Sequence, residues 1–86
     1  MYEETITVTN TEGLHARPAS KLVEIAGKYK SNIEIVHKGK AVNAKSILSI
    51  MGAGVYTGAE IVLRVEGEDE AEAAPVLSEY LNNLPD

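Results

Sequence analysis

The chain has no cysteine, no phenylalanine and no tryptophan among its 86 residues. Without cysteine there is no disulfide framework, no thiolate nucleophile and no zinc-thiolate site, and the composition fits a reducing cytoplasm. Tyrosine is the one aromatic residue, at four positions, so the core must be built from Ile, Val, Leu and Ala. No hydrophobic run approaches the roughly 20 residues that span a bilayer. The opening stretch MYEETITVTN is acidic and alternating, whereas an export signal is basic and then apolar. Neither membrane insertion nor export is expected, and a cytoplasmic protein is. Positive charge is scarce too: the formal net charge of -5 disfavours nucleic acid as a partner. RNA recognition would also want aromatic residues on strands and a basic face.

The charge that is present is unevenly placed. Residues 1–50 hold seven Lys or Arg against five Asp or Glu, net +2, whereas residues 51–86 hold Arg64 alone against eight acids, net -7. An anion would therefore be received by the first half. Length and uniform composition, without repeats or linkers, predict a single domain over residues 1–86.

Period-two alternation over residues 2–9 predicts a strand with Ile6 and Val8 inward, broken by Thr-Asn-Thr-Glu-Gly. Ala19, Leu22, Val23, Ala26 and Tyr29 recur at helical spacing. NIEIVH (32–37) and KAVN (40–43) read as a hairpin turning at Lys38-Gly39. Ser46 opens a short helix, SILSIM, which Gly52 or Gly54 can end with a left-handed residue. EIVLRVEG is a strand with Ile61, Leu63 and Val65 on its apolar face. Asp69 and Glu72 are spaced as a capping box for a last helix that carries Leu77, Leu81 and Leu84 inward. Pro75 predicts either a kink there or a start near Ala74. The order is βαββαβα: an α+β fold whose helices cover one face of an antiparallel sheet.

The segment GLHARPAS (13–20) stands where a polar loop gives way to a helix. If the helix begins at Ala16, His15 is its N-cap and Pro18 lies in its first turn, where proline fixes φ and its missing amide is no loss. Leu14 can staple onto Ala19. The unpaired first-turn amides, including those of Ala16 and Arg17, together with the helix dipole favour an anion and disfavour an imidazolium. A neutral imidazole held outward is a nucleophile. Once it takes a phosphoryl group, the amides and the Arg17 guanidinium suit the product. Ser, Asp or Asn would cap better than His, so the choice asks for a reason.

GLHARPAS is similar to the active-site signature of the HPr family, the histidine-containing phosphocarriers of the bacterial phosphoenolpyruvate-dependent sugar phosphotransferase system. NAKSILSIMGAGV (43–55) resembles that family's regulatory region, at matching separation, and the likeness spans essentially the whole chain. It implies an open-faced β-sandwich of four antiparallel strands with three helices on one face. It also implies that His15 accepts phosphate on Nδ1 from phosphorylated enzyme I and passes it to IIA domains of sugar permeases. Arg17 would bind the phosphate. Such a carrier is not itself an enzyme, needs no cofactor and acts as a monomer. Ser46 suffices as a helix cap; the resemblance adds that in many Gram-positive relatives an ATP-dependent HPr kinase modifies this serine, which lowers transfer at the histidine and recruits a transcription regulator.

Ile47, Leu48, Ile50 and Met51 make the short helix apolar on more sides than burial needs. The resemblance implies that Ile47, Leu48 and Met51, with Ser20 and Lys45, form the partner-docking patch. Ser49 departs from the glycine frequent in relatives. His37 reads as a surface residue, and two separated histidines without clustered carboxylates predict no metal site. Other readings are a paralogue serving the nitrogen-related phosphotransferase chain, a mainly regulatory HPr-like binding protein, and an enzyme acting on a small substrate. The last lacks any second catalytic group near His15 apart from Arg17.

Overall fold

The computed structural model describes residues 1–85. Its elements are β1 (Tyr2–Thr7), α1 (Ala16–Ala26), β2 (Asn32–His37), β3 (Lys40–Asn43), α2 (Ile47–Gly52), β4 (Glu60–Glu66) and α3 (Glu70–Asn82), the order expected. The four strands run β1-β4-β2-β3, each pair antiparallel. Lys38 and Gly39 both take positive φ, 53° and 79°, the geometry whose twist matches the strands of a two-residue hairpin.

Register places Ile6, Ile61 and His37 in one cross-strand row, Leu63 and Ile35 in the next, and Val65 and Ile33 in the third, on a common face. The apolar members of these rows are buried and join Leu22 and Ile25 of α1, Ile50 of α2, and Leu77 and Leu81 of α3 in one cluster. The opposite face carries a polar row in which Arg64 lies between Glu3 and Glu34, its Nε 2.8 Å from Glu3. This is an open-faced sandwich of four strands and three helices.

Four local expectations are resolved or corrected. Gly54, with φ of 67°, supplies the left-handed residue after α2, whose C-cap is Ala53. α3 runs from Glu70 through Pro75 to Asn82, so it does not begin near Ala74. Asp69 is its N-cap residue, yet no capping box forms: the Asp69 carboxylate accepts from Lys30 N at 2.8 Å, from Ser31 N at 2.9 Å and from Ser31 Oγ. The cause is a close crossing, since a Cβ on Gly67 would lie 2.7 Å from Ser31 Cα. The loop after α1 thus brings unpaired amides to Asp69, and Glu70 instead accepts from Gly67 N at 3.2 Å. Leu84 lies beyond the helix but still packs on the core.

Candidate functional site

Two loops build the site. The chain leaving β1 is buttressed by the loop before β4: Val8 N donates to Ala59 O at 2.8 Å and Leu14 N to Val55 O at 3.0 Å. Gly13 makes this approach geometrically feasible, because its φ is 66° and any Cβ there would lie 2.3 Å from Val55 O. Asn10 is buried, and its Nδ2 donates to Gly13 O and to Pro85 O, both at 3.1 Å, tying the loop to the end of the chain. Leu14 and Ala19 are both fully buried in the common core, which anchors the entry into α1. From the other side, Tyr80 of α3 donates its hydroxyl to Pro18 O at 2.9 Å. Burial raises the Tyr80 pKa, which keeps that donor protonated.

His15 occupies the N-cap of α1 in extended conformation, with φ -126° and ψ 162°, and makes no side-chain capping bond. Ala16 follows at φ 50°, a left-handed conformation unusual for a residue with a Cβ and costing of order 1 kcal/mol. The chain therefore turns sharply at Ala16 before the helix proper. The imidazole does not project freely, as sequence reasoning expected. It lies against the Tyr56 ring, centroids 4.8 Å apart and planes 22° apart, and its Nε2 is buried without a hydrogen-bond partner. A covered Nε2 is not open to an incoming group.

Arg17 is exposed and in no ion pair among the described residues. It lines a depression of about 340 Å³ with Glu12, Ala16, Pro18 and Pro85, and a shallower groove of about 450 Å³ with Ser20, Lys21 and Glu24. Lys21 is held by Glu24 at 3.0 Å, so the free cation at the start of α1 is Arg17. Among the described residues no group of three His, Cys, Asp or Glu could hold a metal, and no helix is long and apolar enough to cross a membrane.

Ser46 is the N-cap of α2, its Oγ accepting from Ser49 N at 3.2 Å. Ile50 enters the core and Ile47 packs against it, while Leu48 is 83% and Met51 42% exposed. Ser20 is exposed on α1, which packs beside α2. Lys45 does not belong freely to that patch: its Nζ donates to Tyr29 O at 2.7 Å, satisfying a carbonyl just past α1. His37 is not a plain surface residue either, since Nδ1 donates to Ala53 O at 3.1 Å and joins the end of β2 to the end of α2. Tyr56 and Asn10 were missed by sequence reasoning. The available signals were a tyrosine set between Gly54 and Gly58 in a chain with few aromatics, and an asparagine three residues before a glycine.

The profile of the family described as the PTS HPr component phosphorylation site matches residues 2–83. The chain is 46% identical over 83 residues to a phosphocarrier protein HPr of Xylella fastidiosa, covering 96% of this chain and 93% of that one. An HPr structure from Thermoanaerobacter tengcongensis superposes with a TM-score of 0.90 at 46% identity, over 94% of this chain and 91% of the other. One from Bacillus anthracis gives a TM-score of 0.87 at 39% identity, over 93% and 95%.

Proposed function

Because this chain belongs to the HPr family of phosphocarriers of the phosphotransferase system, we propose that His15 receives a phosphoryl group on Nδ1 from phosphorylated enzyme I and delivers it to IIA domains of sugar permeases. The observation that carries the reading is the uncapped start of α1, with His15, its Nε2 covered, at the N-cap and the unpaired Arg17 two positions on. The Nδ1 lone pair attacks phosphorus, the bond to the donor atom breaks, and that atom keeps the electron pair. A neutral imidazole with its lone pair on Nδ1 needs no general base to attack; the ring becomes cationic as the N–P bond forms and is neutral again once Nε2 gives up its proton. The product bears close to two negative charges beside the helix N-terminus, with the Ala16 and Arg17 amides and the Arg17 guanidinium as its donors.

In this reading the whole chain acts as one cytoplasmic, monomeric carrier without a cofactor, an intermediate substrate of other proteins rather than a catalyst. Ile47, Leu48, Met51 and Ser20 meet those partners; exposed Leu48 and Met51 support this, while the tether of Lys45 assigns it a structural task. Ser46 is a site for an HPr kinase, with a transcription regulator as the reader of the product. A phosphate there would sit at a helix start and act on partners rather than unfold the domain.

Incubation with enzyme I and labelled phosphoenolpyruvate tests the central claim. Acid-labile label that His15→Ala abolishes is the expected result, and acid-stable label, or label surviving that substitution, overturns it. Incubation with ATP and an HPr kinase tests Ser46, where absence of label leaves only the capping role.

A further inference from the structure

Tyr56 is 62% exposed, yet its position is tightly defined. Its Cα would lie 2.8 Å from a Cβ on Gly13, and its carbonyl accepts from Ala59 N at 3.0 Å. The backbone on which the ring stands is thus fixed against the very loop that carries His15. The ring has little packing to gain from the core; its defined contact is the imidazole, stacked at 4.8 Å. That contact coincides with a feature of the site that the helix N-terminus does not explain, a buried Nε2 without a partner. A buried polar atom without a hydrogen bond opposes the arrangement, so something else must hold the ring there.

We propose that Tyr56 is a positioning residue for phosphoryl transfer: its ring holds the His15 imidazole in the orientation that covers Nε2 and leaves Nδ1 for the incoming group. The inference rests on the phosphocarrier reading for its kinetic consequence, though not for the ring geometry. An imidazole without this wall samples other rotamers and exposes Nε2, so a smaller fraction of encounters finds Nδ1 aligned. The contact is one of aromatic faces, and the Tyr56 hydroxyl plays no part in it. Phenylalanine should therefore serve and alanine should not. A stacked pair of this kind corresponds to roughly a two- to tenfold effect.

The test uses the intact chain with Tyr56→Phe and Tyr56→Ala. Proton NMR of the unphosphorylated protein should show the His15 ring protons shifted by the tyrosine ring current in wild type, retained in Tyr56→Phe and lost in Tyr56→Ala. The amide spectrum away from the site should stay unchanged. In transfer from phosphorylated enzyme I, Tyr56→Ala should lower the rate at saturating concentration by roughly two- to tenfold with little change in KM, and Tyr56→Phe should restore it. A change in KM alone makes Tyr56 a partner contact and overturns the proposal, as does a Tyr56→Ala protein with wild-type rate or unaltered His15 shifts. If wild type itself takes no acid-labile label, the phosphocarrier reading fails instead, and the NMR comparison still decides whether Tyr56 holds the ring.

Discussion

Substituting alanine at two glycines separates the cost of a left-handed backbone from the cost of a close crossing. Gly13 and Gly39 have similar φ, 66° and 79°, but a Cβ at Gly39 meets nothing within 4 Å, whereas at Gly13 it lies 2.3 Å from Val55 O and 2.8 Å from Tyr56 Cα. Gly39→Ala therefore carries the backbone term alone, about 1 kcal/mol. Gly13→Ala adds an overlap with main-chain atoms that no rotamer change can relieve, a further 1 to 3 kcal/mol or so on the scale of overpacked cores, for about 2–4 kcal/mol in all. With a urea m-value of about 1.5 kcal/mol/M, the midpoint falls by ~0.7 M for Gly39→Ala and by ~1.3–2.7 M for Gly13→Ala, read by far-UV circular dichroism. Gly13→Ala should also slow labelling of His15, because the displaced loops carry both His15 and Tyr56, whereas Gly39→Ala should leave labelling unchanged. Equal midpoints for the two variants would refute the argument that the crossing of residues 13 and 55 constrains the site.

The Asp69 pKa is lowered from its ordinary 3.8, first by the hydrogen bond from the Ser31 hydroxyl and then by the amide of Lys30. A depressed folded-state pKa contributes stability that is present above pH 4 and lost as the pH falls through the folded value. Asp69→Ala should flatten the acid limb of a urea-midpoint titration below about pH 4, and an unchanged limb would exclude Asp69 as its source. Ser46→Ala removes the acceptor for Ser49 N and should lower stability by about 1 kcal/mol, a Tm drop of ~4–8 °C, while Ser46→Asp stays near wild type; a neutral Ser46→Ala would deny the cap any weight. Leu48→Ser, at a side chain 83% exposed, should leave the urea midpoint within error yet raise KM for phosphorylated enzyme I several-fold, and a loss of stability instead would place Leu48 in the core.

The fold was legible because its signals are local. Alternation in EIVLRVEG and NIEIVH, the Lys38-Gly39 turn and the cap at Ser46 each specify an element without reference to distant residues, and their boundaries match β4, β2, the hairpin and α2. The placement of His15 at the start of α1 was legible for the same reason. Errors arose wherever a side chain had two suitors. Asp69 is spaced to cap its own helix, but it meets the Lys30 and Ser31 amides 39 and 38 residues away, whose partners are fixed only by the folded chain. Lys45 and His37 have solvent-facing sequence contexts, and each is drawn to a carbonyl near a helix end 16 residues distant.

Tyr56 belongs to the same class, and its case shows why the chemistry of the site was only half visible. A helix start gives a physical reason to expect an anion in this region, and that much follows from GLHARPAS alone. It does not account for which imidazole nitrogen faces the anion, because the ring can rotate about its own bonds while the helix stays unchanged. Orientation requires a wall, and walls come from elsewhere in the chain: here from a loop 41 residues on, pressed against Gly13 so closely that only glycine fits. Anion affinity and ring orientation therefore have separate physical origins, and a substitution at residue 56 should disturb the second while leaving the first in place.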